Sequence, residues 1–209
     1  MRTTRDADLR EETTRVEAFS DGVFAIAMTL LILEIRTPEH VNAGGLPRAL
    51  SALWPSYLAF ATSFFTIGVM WMNHHRLFNL IGKSDQGLLM ANLVLLLCVT
   101  FIPFPTALLA RFLDHADSYI AAVLYNAVFF GSAIAFQLLW RHASGGGRLI
   151  ADDADPESVA AITRQYRFGP LLYVVLIVIA YFSPVASLVL NLALAVFFAI
   201  PSGWFRKPF

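Results

Sequence analysis

The stretch from Val16 to Ile35 constrains the fold of this chain most strongly, because it is almost wholly apolar between the carboxylates of Asp21 and Glu34. About 20 residues at about 1.5 Å per residue make a helix of about 30 Å, which matches the hydrocarbon core of a bilayer. Its acidic residues lie near the two ends, where the interfaces tolerate charge. The stretch is therefore predicted to cross a membrane as a helix.

This predicted helix has two different faces. One face carries an aliphatic stripe with one hydroxyl: Ile26, Thr29, Leu30 and Leu33. At about 100° per residue the other members lie within about 60° of Ile26, whereas Asp21 lies about 140° away. An ionised carboxylate is costly in lipid, so Asp21 is expected to face neighbouring helices and accept hydrogen bonds there. The stripe has two interpretations: contact with lipid or a helix core, or hydrophobic rings that narrow a pore.

The rest of the chain has the same apolar character. Of its 209 residues, 57% are hydrophobic and only 14% are charged, below the share of about 25% that soluble domains carry. Apolar runs recur along the whole length, which predicts an all-α integral membrane protein with a single domain. The formal net charge is zero, so the charge balance indicates no nucleic-acid partner.

Six membrane spans are predicted between segments rich in turn-forming residues: about 16–35, 50–80, 88–112, 118–141, 166–182 and 184–200. Pro103 and Pro105 should kink the third span. Residues 142–165 are predicted to form a loop, in which a short amphipathic helix is possible from Pro156.

The basic residues predict the orientation of these spans. Twelve of the 15 arginines and lysines lie on the side that holds both termini, and three lie on the other side. Basic residues accumulate on the cytoplasmic side of membrane proteins, so both termini are predicted to be cytoplasmic. Residues 1–15 would be a polar tail or a fraying helical lead-in, 16–201 the transmembrane domain and 202–209 a second cytoplasmic tail.

A second polar cluster lies where the second span is predicted to end. Trp71, His74 and His75 share one helical face there. Indole and imidazole N–H groups are hydrogen-bond donors, so a buried network with Asp21 between the first two spans is a natural inference. In the alternative, both histidines simply extend to the membrane interface. Two adjacent histidines offer too few ligands for a metal site.

Two motifs in these spans resemble a known family. They are Arg15-x-x-x-Phe19-Ser20-Asp21 at the start of the first span and Trp71-x-x-His74-x-x-Leu77-Phe78 at the end of the second. Together they resemble the lysosomal and endosomal potassium channel family, the transmembrane protein 175 family. The bacterial branch, which has one six-helix unit per subunit, is the more similar.

The resemblance implies a homotetramer in a bacterial inner membrane, in which the first span of each subunit lines a central pore. Selectivity in the family is attributed to positions that correspond here to Ile26, Leu30 and Leu33, and Thr29 could add a ring of hydroxyls. The resemblance also implies a network that holds the pore helix without coordinating ions: Arg15, Phe19, Ser20, Asp21, Trp71, His74 and, as a weaker member, Asn73. Potassium should be favoured only modestly over sodium, because a narrow ring that coordinates weakly selects the ion that gives up water more readily.

Other classes of function have less support. The sequence lacks Gly-x-Ser-x-Gly, His-Glu-x-x-His and phosphate-loop patterns, so neither an enzyme nor a cofactor is expected, and potassium is the only ligand implied. A carrier coupled to protons or cations, with Asp21 and His74 as a relay, is the main alternative. A non-conducting membrane scaffold is a third.

Overall fold

The computed structural model describes residues 2–38 and 45–199, without the side chains of residues 2–10 and 197. Between turns and short loops this part of the chain is helical, and its only β contact is an isolated bridge between Ile81 and Ile150. The helices are α1 (Arg2–Leu30), α2 (Gly45–Ser51), α3 (Trp54–Phe78), α4 (Gln86–Phe101), α5 (Pro103–Phe112), α6 (Ser118–Ser144), α7 (Pro156–Phe182) and α8 (Pro184–Ala199). A 3-10 turn, Leu31–Glu34, continues α1, and a second follows α6 at Gly145–Gly147.

Four helical segments in the described part are long and apolar enough to cross a membrane: Glu11–Glu34, Gln86–Phe112, Ser118–Gly147 and Pro156–Phe182. Helices α2 and α3 make a fifth candidate if the bent pair, with an angle of 45°, counts as one span. Helix α8 is apolar but shorter. The fold is therefore an all-helical membrane bundle with four to five apolar spans, and the sixth span stays a prediction.

Two helical segments that the sequence left as alternatives are present, a lead-in to α1 and a helix that begins at Pro156. Helix α1 extends back to Arg2, because the polar lead-in contains good helix formers and neither glycine nor proline. Helix α7 begins at Pro156 rather than near Tyr166, so the predicted loop is half helical. Asp155 caps α7, since its carboxylate accepts hydrogen bonds from the backbone N–H groups of Glu157 and Ser158.

Two helices are interrupted shortly before a proline. The third predicted span breaks between Phe101 and Pro103, as expected, because proline lacks the N–H that would continue the ladder. The second predicted span was expected to be continuous, but it breaks after Ser51 and α3 restarts with Pro55 in its first turn. Pro170 lies inside α7 without ending it.

Helix α6 occupies the middle of the bundle, where it contacts α4, α5, α7 and α8. Its buried side chains include Tyr125, Phe129 and Trp140. Neutral hydrogen bonds connect it to its neighbours: the Tyr125 and Ser63 hydroxyls lie 3.0 Å apart, and Asn191 donates to the side-chain oxygen of Asn126 at 3.0 Å. Such bonds join helices where the apolar surroundings offer no water.

A second connection joins the turn after α3 to the loop after α6. The backbone N–H of Gly82 donates to the carbonyl of Leu149 at 2.9 Å, and a Cβ at Gly82 would lie 2.9 Å from Cα of Ala151, so only glycine fits. Nearby, Asp85 contacts His142 at 2.7 Å and Arg148 at 3.6 Å. We call Asp85, His142 and Arg148 the loop clasp.

Asp85 also caps the next helix. Its carboxylate accepts a hydrogen bond of 2.8 Å from the backbone N–H of Leu88 at the start of α4. This hydrogen bond lowers the pKa of the Asp85 carboxyl below its usual value, and the hydrogen bond from His142 and the charge of Arg148 act in the same direction.

Candidate functional site

Helix α1 packs against α3 and α4 through one face only. The buried residues of its apolar half recur at helical spacing: Ser20, Phe24, Ala27 and, in the 3-10 turn, Leu31. This side of α1 carries small or polar side chains as well as large apolar ones. It is the side on which the sequence predicts the polar network.

The carboxylate of Asp21 bonds to the second predicted motif. The indole Nε1 of Trp71 donates to Asp21 Oδ1 at 2.8 Å. This is the pairing of acid and donor that the helical wheel predicts between α1 and α3. The pair is only partly covered in the single chain, since Trp71 is exposed and Asp21 is half-buried.

A deeper chain of hydrogen bonds lies beside this pair. His74 is fully buried, and its Nε2 lies 3.0 Å from the side-chain oxygen of Asn92 on α4. That oxygen only accepts, so Nε2 carries the proton. Asn92 then donates to Ser20 Oγ at 2.9 Å, and Ser20 donates to the carbonyl of Val16 at 2.8 Å. Three helices are thereby joined in a fixed direction of donation.

We call Ser20, Asp21, Trp71, His74 and Asn92 the anchor network. Aromatic rings enclose its histidine: Phe78 stacks on His74 at a centroid distance of 4.3 Å, and Phe24 lies 5.4 Å away. The other ring nitrogen, Nδ1, has no hydrogen-bond partner in the described part of the chain. Among the described residues, His74 therefore makes one side-chain hydrogen bond, to Asn92.

Asn92 and Glu17 are members of this region that the sequence analysis did not single out. Asn92 is an uncharged residue inside a leucine-rich run. Its only signal in the sequence is that it is a single amide in that run, at the height along the bundle where Ser20 needs a hydrogen-bond partner. Glu17 contacts His75 Nδ1 at 2.6 Å. Both residues are neighbours of motif residues in the sequence, since Glu17 lies between Arg15 and Phe19 and His75 directly follows His74. His75 is exposed, so this histidine reaches the surface while His74 does not.

Three predicted network members lie outside these contacts. Arg15 is exposed and has no hydrogen bond or ion pair within the described residues, and Phe19 is 61% exposed. Asn73 faces a cavity bordered by α6, α7 and α8. It follows Trp71 by two residues, which turns it about 200° around α3. The helical wheel predicts this direction. No contact among the described residues supports the inclusion of Asn73 in the network.

The aliphatic stripe stands on the opposite, open face of α1. Ile26 is 61% exposed, Leu30 43% and Leu33 68%. Thr29 is exposed beside them, and its hydroxyl donates to the carbonyl of Ile26 at 2.9 Å, which leaves its oxygen lone pairs directed outward. The described residues of this chain therefore leave the stripe largely uncovered.

Comparisons with known proteins decide the family. A potassium channel of Chamaesiphon minutus is 51% identical over 95% of this chain and 98% of that protein. The chain belongs to the TMEM175 family. The family model described as the endosomal/lysosomal potassium channel TMEM175 matches residues 15–103. A potassium channel of Streptomyces collinus is 42% identical over 90% of this chain and 91% of its own length.

A solved structure extends the agreement within the TMEM175 family to the fold. The crystal structure of a lysosomal potassium-selective channel TMEM175 homolog from Chamaesiphon minutus superposes with a TM-score of 0.83 and 49% identity, over 91% of this chain and 97% of that one. The segment that the TMEM175 model matches contains both the anchor network and the aliphatic stripe. The similar proteins are channels rather than enzymes.

Proposed function

We propose that this TMEM175 family member is a potassium-selective cation channel, assembled as a homotetramer around α1. The observation that carries the proposal is the division of α1 into an anchored face and an open face. Ser20 and Asp21 bond to α3 and α4, so the helix is held in one rotation, and that rotation leaves Ile26 and Leu33 uncovered.

The open face supplies the elements of a hydrophobic constriction. Four copies of Ile26, Leu30 and Leu33 around an axis would form successive apolar rings that exclude hydrated ions. Conduction then requires a small dilation or rotation of α1. Thr29 would place hydroxyl oxygens between the rings, where they replace part of the water around an ion. Such weak coordination favours potassium modestly, because potassium loses its water at a lower cost than sodium.

The proposed setting is the inner membrane of a bacterium, with both termini in the cytoplasm. The distribution of basic residues, 12 against three, supports this orientation. It places the anchor network near the cytoplasmic end of the pore helix. Six spans within residues 16–201, between cytoplasmic segments 1–15 and 202–209, are part of the same proposal.

Reversal potentials in planar bilayers with potassium on one side and sodium on the other test this function. Purified protein should give unitary currents that prefer potassium. Ile26→Asn should pull the permeability ratio toward unity, because an amide ring admits hydrated ions. Ile32→Asn is the matched control, since Ile32 is also exposed but lies about 80° away from Ile26 around the helix, given about 120° per residue in the 3-10 turn.

An unchanged ratio in Ile26→Asn, or an equal change in Ile32→Asn, would contradict the assignment of the stripe. The mass of the purified oligomer tests the tetramer separately. A mass other than four subunits would remove the proposed symmetry axis, and protein without any cation flux would indicate a scaffold.

The coupled carrier has less geometric support. Its relay needs proton transfer between Asp21 and His74, yet each bonds to a different partner: Trp71 for the acid and Asn92 for the histidine. A carrier would show solute-coupled flux without unitary steps, so the same recordings distinguish the two functions.

A further inference from the structure

A cavity of about 60 Å³ lies between α3, α6, α7 and α8, and it is open on one side. Its walls are almost entirely carbon, with large contributions from Met70, Phe129 and Phe136. By the same measure a water molecule needs about 10–15 Å³, so the space accommodates about four to six groups of water or methylene size. Water gains little in such a lining, whereas hydrocarbon from a surrounding bilayer fits it.

One end of this cavity is polar. Asn73 late in α3 and Gln165 and Tyr166 early in α7 border the space at that end. Within the described residues, the side chains of Asn73 and Gln165 and the Tyr166 hydroxyl make no hydrogen bond. None of these polar atoms is fully buried, so all three are accessible to a group that enters the mouth of the cavity.

A cation stands at the same end. Arg76 follows Asn73 by one helical turn, its Nη2 donates to the carbonyl of Ala199 on α8 at 3.4 Å, and its charge acts on Tyr166. No carboxylate pairs with Arg76 in the part of the chain that the structure describes. Arg76 therefore places a positive charge near the mouth of the cavity, and no carboxylate of the described residues neutralises it.

We propose that the cavity binds one acyl chain of an anionic phospholipid, whose phosphate contacts Arg76. The apolar walls match the hydrocarbon chain, and Asn73, Gln165 and Tyr166 can donate to the phosphate and ester oxygens. Guanidinium groups bind phosphate in a bidentate geometry, and the cationic group of a zwitterionic lipid would be repelled by Arg76, so an anionic headgroup is favoured. The volume holds part of one chain, so the second chain stays in the leaflet where α3 ends.

Substitution of Gly169 by a larger residue can fill this cavity without a steric clash. It borders the cavity on α7, and a Cβ added there would meet no atom within 4 Å. Gly169→Leu should therefore fill the space that the acyl chain occupies. Gly169→Ala adds a single carbon, removes the same glycine from the helix and leaves most of the cavity open, which makes it the matched control.

Native mass spectrometry of the purified full-length protein tests the site with two probes, phosphatidylglycerol and phosphatidylcholine with identical acyl chains. Phosphatidylglycerol should be retained about fivefold more strongly, as expected for one basic residue near an anionic headgroup. Arg76→Gln should abolish that preference while Arg141→Gln, an exposed arginine at the same end of α6, preserves it. Gly169→Leu should weaken the binding of both lipids, and Gly169→Ala should not.

Equal retention of the two lipids by the wild type would overturn the headgroup assignment. Unchanged binding in a folded Gly169→Leu protein would overturn the cavity as the acyl site, and an equal loss in Arg141→Gln would show general attraction to the surface. The arginine and glycine variants report independently, so failure of one to fold leaves the other decisive. Binding is measured without current, so neither result bears on whether the protein conducts.

Discussion

The interior part of the anchor network (Ser20, His74 and Asn92) and the loop clasp both join helices near the same end of the bundle, but they differ in their distance from solvent. In the anchor network His74 and Asn92 are 0% and 2% exposed, whereas the Asp85 and His142 side chains of the loop clasp are each 34% exposed. Water can replace a lost hydrogen bond at the surface but not in the interior. The anchor network should therefore fix the position of α1, and the loop clasp should only add stability to helix ends.

Asn92→Leu should lower the stability of the protein the most. It leaves His74 Nε2 and Ser20 Oγ without their partner, at a cost of about 1–3 kcal/mol for each buried group. The apparent Tm of the purified protein in detergent should fall by several degrees. Asn79→Leu, at an exposed asparagine just after α3, should leave Tm nearly unchanged, and equal shifts in the two variants would refute the special role of Asn92.

Asp21→Ala should have a smaller intrinsic cost, about 1 kcal/mol, because the Trp71–Asp21 hydrogen bond is partly exposed. The main expected damage is to folding or assembly, measured as loss of the oligomer peak in size-exclusion chromatography. Asp21→Asn keeps an acceptor oxygen and should assemble better. Stable oligomers of Asp21→Ala with altered ion selectivity would instead place this carboxylate in the ion pathway.

Asp85→Ala should have the narrowest effect of the three changes, because it should lower stability without disturbing assembly. It removes the cap of α4 and the contact to His142, and loss of such a cap costs about 1 kcal/mol. Selectivity in bilayer recordings should not change, because the loop clasp does not touch α1. A shifted permeability ratio in this variant would mean that the two polar sites are coupled.

Acid should erase the stability difference between the wild type and Asp85→Ala. The hydrogen bond from Leu88, with smaller contributions from His142 and Arg148, lowers the pKa of the folded Asp85 carboxyl. Its contribution is therefore complete above the pKa of the unfolded chain and disappears as the pH falls through the lower, folded value. Tm measured against pH should show the two proteins converging only below the usual range of an aspartate.

The sequence was most informative where a charge interrupts an apolar run. Asp21 in a membrane helix needs a hydrogen-bond donor, and the helical face that carries Trp71 supplies it. Asn92 escaped notice because an uncharged amide inside a leucine-rich helix gives no comparable signal until α1 and α4 are seen side by side. Arg15 shows the opposite difficulty: this motif residue makes no hydrogen bond or ion pair among the described residues.

Helix ends were predictable where proline or glycine sets them and less so elsewhere. The break before Pro103 and the turn before Pro184 follow from chain chemistry alone. The start of α7 depends on Asp155 as a cap, and the sequence left this start open. The helix continues through Gly169 and Pro170, as the predicted span 166–182 requires, with support from packing against α6. Such tertiary support overrides the local preference of single residues.

The 3-10 turn that continues α1 affects how Leu30 and Leu33 are aligned. In that winding, residues three apart lie directly above one another, with about 120° and 2.0 Å per residue, against about 100° and 1.5 Å in an α-helix. Rewinding these three steps would swing Leu33 sideways by about 60° and draw it back by about 1.5 Å. A screw motion confined to the last turn would thus separate the two leucines while Ser20 and Asp21, several turns away, stay bonded.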